Sequence, residues 1–244
     1  MIVENIDAQL WLVCYDPNLV LSNSALSVLG HAQIARAQQF VGGRKLEFLL
    51  GRLLLINALK AEVAVNGAGN AWSIAEREGQ PPLVSCESMS VATSISHSKN
   101  RLGVLSAQIP ISSLLGLDIE FIRPTLNYQM ATYFCNDEQL SKVEELGCPK
   151  QIQTFLTRLW TQKEAYFKSK EVPILNPLTK NQGFEKDNRV RSAQLADDFY
   201  LSVYCSEPVN VIPHFVNIDS DGNISEVTPE SLIWDVNYSV SSDN

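Results

Sequence analysis

The chain has 244 residues, 45% of them hydrophobic, which supplies enough apolar surface for a large folded core and argues against long disordered spans. A formal net charge of -8 excludes a general nucleic-acid binder, which needs a basic surface. Five cysteines without CxxC spacing suggest neither a disulfide framework nor a zinc site, and the N-terminus lacks a basic segment followed by an apolar one. These features predict a cytoplasmic protein that binds neither nucleic acid nor membrane.

The run QLWLVCY at 9–15 predicts a first strand, ended by Asp16-Pro17. Residues 24–40 predict a helix, and a second is expected from Arg44 to Val65, where Leu46, Leu49, Leu50, Leu53 and Leu54 keep helical spacing. Between residues 31 and 60 the cations are Arg36, Arg44, Lys45, Arg52 and Lys60, and Glu47 is the sole acid. From 217 onward every charged residue is acidic. A basic segment in an acidic protein is expected either as a solvated helix face or as a local anion site.

AWSIAE is strand-like, GQPP at 79–82 reads as a turn, and MSVATSISHS at 89–98 alternates weakly. RLGVLSAQ and LLGLDIEF, the latter at 114–121, are two further short apolar runs. Helices are expected at 137–146 and 151–170, followed by strands FYLSVYCS and VNVIPHFV. Helix precedes strands in each half, which predicts an α+β fold. Two similar α+β halves, 1–112 and 113–244, would be related by pseudo-two-fold symmetry, with the active site at their interface.

Three segments carry chemistry. In LLGLDIEF, Asp118 and Glu120 lie at i and i+2 and so share one strand face, opposite Leu117, Ile119 and Phe121. Two carboxylates side by side repel each other unless solvent or a cation intervenes, and a hard divalent ion such as Mg²⁺ would reconcile them. The alternative is the solvent face of an edge strand. In WTQKEAYFK, Trp160, Glu164 and Lys168 fall along one helical stripe bordered by Lys163. A surface ion pair is the plain reading of Glu164 and Lys168; the nearby Trp160 suggests that the stripe is partly covered. In SISHS, Ser94 and Ser96 share a face, and His97 stands at the strand end close to Lys99.

Together, Ser96-His97, Gly116-Leu117-Asp118-Ile119-Glu120 and Trp160-Thr161-Gln162-Lys163-Glu164-Ala165-Tyr166-Phe167-Lys168 resemble the Sfp-type phosphopantetheinyl transferases in residue pattern and order. The resemblance extends back through EGQPPLV and QQFVGGRKLEFLLGR. It implies Mg²⁺-dependent transfer of the 4′-phosphopantetheine arm of coenzyme A to a serine of an apo acyl or peptidyl carrier protein, releasing adenosine 3′,5′-bisphosphate. Asp118, Glu120 and Glu164 would hold Mg²⁺. Glu164, Lys168 and His97 would be catalytic, with Glu164 or an activated water taking the serine proton. Arg44, Arg52, Ser96, His97, Lys163 and Lys168 would contact coenzyme A, and the segment around Arg36, Arg44 and Arg52 would face its 3′-phosphate. The first half would then carry the nucleotide and the second the metal, in a monomer. The family commonly has Gly-Lys-Pro where this chain has Gly79-Gln80-Pro81, so Arg77 is a candidate substitute. A non-enzymatic coenzyme A or carrier-binding module and a metal-dependent phosphohydrolase are the competing readings.

Overall fold

The computed structural model describes residues 6–66, 72–77, 81–85, 91–110, 112–170, 189–196 and 198–235. Gly79, Gln80, Cys86 and Asp243 lie outside the described residues. In chain order the elements begin with β1 (Ile6–Cys14), α1 (Asn23–Ser27), α2 (His31–Ala37), α3 (Gly43–Asn66), β2 (Ser73–Ala75) and β3 (Leu83–Ser85). Next come β4 (Ala92–Ser98), β5 (Arg101–Ala107), β6 (Leu115–Phe121), α4 (Tyr128–Ala131), α5 (Asp137–Glu145) and α6 (Pro149–Ser169). β7 (Val190–Leu195), β8 (Phe199–Cys205), β9 (Val209–Ile218), β10 (Ile224–Glu226) and β11 (Leu232–Trp234) follow.

The architecture is α+β. One sheet has the order β10-β9-β1-β5-β4 and a second the order β11-β7-β8-β6, with β2-β3 as a separate hairpin. The succession β1, α3, β4, β5 and the succession β6, α6, β7, β8 make the same connections, with strand orders β1-β5-β4 and β6-β8-β7. β9 and β10 follow residue 113 in sequence yet complete the first sheet, β9 pairing parallel with β1.

The continuous apolar run of β1 reflects burial on both faces. Leu10 and Leu12 join Leu105, Leu117, Ile119, Leu201 and Val203 in the core between the sheets. Trp11 and Val13 point the other way and pack with Leu46, Leu50 and Leu54 of α3. Ala165 of α6 packs on the outer side of the second sheet with Val190 and Tyr204. The layers therefore run α3, first sheet, second sheet, α6.

The helix expected over 24–40 is two helices. Gly30 precedes α2 in extended geometry, φ -72 and ψ 162, and this breaks the helical path. α5 begins with a capping box between Asn136 and Gln139, whose N-cap Asn136 sets the helix start at the charged DE pair. Among the described residues Cys14, Cys135, Cys148 and Cys205 form no disulfide. No described helix is long and apolar enough to cross a membrane.

Candidate active site at the meeting of the two sheets

β6 is the edge strand of the second sheet and lies against β4, the edge strand of the first. Leu117 and Ile119 face the core between the sheets. Gly116, Asp118 and Glu120 face the opposite side, towards α6. The approach there is close: a Cβ on Gly116 would sit 1.9 Å from the Ala165 carbonyl oxygen. Glycine in this strand thus lets α6 settle directly over the two carboxylates. It explains why Gly, Asp and Glu occur at alternate positions.

Asp118 is buried at 2% exposure. Its Oδ1 accepts from Lys168 Nζ at 2.6 Å and from Ser96 Oγ at 3.0 Å. Its Oδ2 is also buried and has no hydrogen-bond partner among the described residues. Glu120 Oε2 accepts from Ser98 Oγ at 3.0 Å and from Arg123 at 3.2 Å. Burial, and then the Asp118 charge, raise the Glu120 carboxyl against the opposing pull of Arg123 and Ser98. Glu164 is pushed up to about 7, first by burial and then by Asp118, while Lys168 pulls it down. For Lys168, burial works to lower the ammonium, and the Asp118 carboxylate outweighs it and raises it.

Across the seam lies a cleft of about 410 Å³, lined among others by Arg36, Phe40, Arg44, Arg52, His97 and Lys168. The arginines lie along aromatic rings: Arg36 and Arg44 at 5.5 and 5.7 Å from the Phe40 centroid, Arg52 at 4.3 Å from that of Phe48. Arg52 is buried and makes a two-pronged bridge to Glu76 at 2.7 and 2.6 Å. The Arg44 side chain remains 57% exposed and reaches Glu47 only at 3.5 Å. His97 contacts Arg44 through Nε2 and lies 3.4 Å from Glu47 through Nδ1. Burial lowers the His97 imidazole, Arg44 and Lys168 lower it further, and Glu47 and Asp118 oppose them.

The structure therefore brings Asp118, Glu120, Glu164, Lys168, Ser96 and His97 to one place, with Arg44 and Arg52 on the opposite wall. Lys163 is placed elsewhere. It is fully buried, and its Nζ donates to the Phe134 carbonyl at 2.6 Å and to Gln139 at 3.3 Å, holding α6 to the α4–α5 layer. Trp160 packs edge-on against Phe134 in that same layer rather than over the Glu164 stripe. Arg77 lines the cleft and donates to the Pro81 carbonyl at 2.8 Å. Sequence reasoning missed three residues. Glu47 faces His97, Glu76 occupies Arg52, and Ser98 holds Glu120. Only Ser98 carried a signal, continuing the alternation of Ser94 and Ser96 by one more step.

Among the described residues no three His, Cys, Asp or Glu side chains stand ready-assembled at metal-ligand spacing. The donor set nevertheless fits a hard cation. Burial and the Asp118 charge raise the Glu120 and Glu164 carboxyls, and a buried Asp118 oxygen is left without a donor. Asp118, Glu120 and Glu164 are the residues that would hold Mg²⁺.

Residues 114–216 match the family model described as the 4′-phosphopantetheinyl transferase superfamily. No curated protein was found to match the chain. The matched segment runs from β6 through α6 into β9, and so contains the carboxylates, Glu164 and Lys168. This segment, which carries the acidic half of the site, is thus similar to the 4′-phosphopantetheinyl transferase superfamily.

Proposed function

We propose that the chain transfers the 4′-phosphopantetheine arm of coenzyme A to a serine of an apo acyl or peptidyl carrier protein, with Mg²⁺, in the manner of the Sfp-type enzymes. The observation that carries this reading is Asp118: buried, bound on one oxygen by Lys168 and Ser96, and undonated on the other. Most buried carboxylate oxygens are hydrogen-bonded, and a cation at the second Asp118 oxygen would complete its bonding at 2% exposure. Glu164 beside it has a carboxyl raised to about 7, within reach of a proton-accepting role.

Bound Mg²⁺ would supply charge neutralisation at the pyrophosphate. The chain's residues do the rest. The cleft wall of Arg36, Arg44 and Phe40 receives the adenosine 3′-phosphate, with Arg44 as the exposed cation available for it. His97 and Lys168 present donors to the pyrophosphate oxygens, while Ser96 directs its single proton at Asp118. The carrier serine hydroxyl attacks the phosphorus on the pantetheine side, its proton passes to Glu164, and the phosphoanhydride bond breaks towards the nucleotide. Adenosine 3′,5′-bisphosphate leaves with the bond's electron pair, its charge met by Lys168 and the arginine wall. Positioning and charge compensation, rather than a covalent enzyme intermediate, do the work of such a transfer.

The test is incubation of the protein with coenzyme A, Mg²⁺ and a panel of apo carrier proteins, followed by mass spectrometry of each carrier. A gain of one phosphopantetheine arm on a carrier serine supports the reading. Free adenosine 3′,5′-bisphosphate with every carrier unmodified would instead point to a phosphohydrolase.

A further inference from the structure

Ser94, Ser96 and Ser98 alternate along β4 and so lie on one of its faces. Each hydroxyl accepts a backbone N–H from β6: Leu117 to Ser94 at 2.9 Å, Ile119 to Ser96 at 3.1 Å and Phe121 to Ser98 at 3.1 Å. The sequence offset stays at 23, so the two edge strands run parallel and are stitched through side chains. Three backbone donors of an edge strand, which would otherwise need water or another strand, are satisfied this way.

Two rungs of this ladder carry a second bond. Ser96 Oγ donates to Asp118 Oδ1 and Ser98 Oγ donates to Glu120 Oε2, each at 3.0 Å. A serine hydroxyl has a single proton. With the Phe121 N–H already held on its oxygen, Ser98 has that proton to direct at Glu120. The Ser94 rung has no such second bond, because Gly116 stands where the carboxylate would be. The remaining donor on Glu120 is Arg123, whose side chain is 58% exposed and holds it loosely.

We propose that Ser98 is a positioning residue for the reaction: the hydroxyl that ties β4 to β6 also fixes the Glu120 carboxylate where it shares a divalent cation with Asp118. Joining of the sheets and assembly of the acidic pair are then one event. The inference rests on the Mg²⁺-dependent reading of the site.

The test reads metal dependence of binding rather than turnover. Coenzyme A is titrated calorimetrically into the protein at a series of Mg²⁺ concentrations, and the Mg²⁺ midpoint for the gain in coenzyme A affinity is recorded. Loss of a residue that orients a metal ligand costs about 10–100-fold in metal affinity. Ser98→Ala should move the midpoint upward by about that factor. Ser98→Thr, which keeps the hydroxyl, should restore it. Ser94→Ala removes a rung without touching a carboxylate, so it should lower the melting temperature and leave the midpoint in place. Ser98→Cys keeps the side-chain volume with a weak donor and serves the comparison if the alanine variant does not fold. A Ser98→Ala midpoint within about twofold of wild type, or an equal shift in Ser94→Ala, overturns the proposal. A wild-type protein whose coenzyme A affinity ignores Mg²⁺ overturns the functional reading itself, which is a separate result.

Discussion

The two walls of the cleft carry opposite charge and satisfy it in opposite ways. On the α3 wall the most buried cation, Arg52, is already committed, its guanidinium paired on both prongs with Glu76. On the β6 wall the most buried anion, Asp118, is only half committed, with one oxygen held and one left over. Burial alone thus does not mark a functional charge. On the proposed reading, the functional charge is the one whose bonding capacity is incomplete. On the basic wall that description fits the exposed Arg44 better than the buried Arg52.

Lys168 gives the largest expected break in this comparison. It crosses from one wall to the other, donating to Asp118 at 2.6 Å while lining the cleft. Lys168→Ala should slow transfer on the order of 10²–10³-fold, the cost of removing a group that meets transition-state charge. It also leaves Asp118 without its cation, so the melting temperature measured in EDTA should fall and Mg²⁺ should recover much of the loss. An unchanged kcat with a lowered melting temperature would make the residue merely structural.

The two arginines come next, because they are expected to fail differently. Arg52→Ala leaves the largely covered Glu76, its side chain 11% exposed, without its cation, which costs up to about 3–5 kcal/mol. At about 2–4 °C per kcal/mol for a chain of this size, calorimetry should record a fall on the order of 10 °C. Arg44→Ala should leave the melting temperature alone and raise KM for coenzyme A on the order of 10-fold, the loss of one charged hydrogen bond. With coenzyme A lacking the 3′-phosphate the Arg44 effect should vanish. Reversed phenotypes would mean that the pairing with Glu76 opens on binding.

Which parts of this were legible in the sequence follows from the range of the interactions. The Asp118–Glu120 pair shows because strand alternation is local, and α6 shows because its apolar spacing is local. Arg52 could not be separated from Arg44, since its partner Glu76 lies on another segment after an unrelated turn. Lys163 sits beside Glu164 on the helix, and only the packing of α4 and α5 reveals that it faces the Phe134 carbonyl. β7 was illegible because VRSAQL mixes polar and apolar residues. Ser192 is nevertheless buried there, bonded to Gln162 at 2.9 Å and to Ser202 at 2.9 Å. Such polar residues inside a core read as surface until their partners are known.

Glu164 supplies the smallest effect, on stability against pH. Its folded carboxyl titrates near 7, above the ordinary value of 4.5. Between those values the folded state holds the proton that the unfolded state has lost, so this group's contribution falls as pH rises from 4.5 towards 7. Glu164→Gln should therefore flatten that part of the profile in metal-free buffer and raise the melting temperature at pH 8 by about 3 °C. A profile identical to wild type would remove the crowding of carboxylates from the account.

The central claim is that the incompletely bonded Asp118 is half of a metal site used in phosphopantetheine transfer. The most direct measurement is the transfer rate to a modified carrier, by mass spectrometry, for wild type and Asp118→Asn in EDTA and across a Mg²⁺ titration. Asparagine keeps the shape and the Ser96 bond but loses the charge. Wild type should fall by about 10²-fold or more in EDTA and recover with Mg²⁺, while Asp118→Asn stays slow throughout yet folded. Transfer by Asp118→Asn at the wild-type rate, with the same response to Mg²⁺, would contradict it.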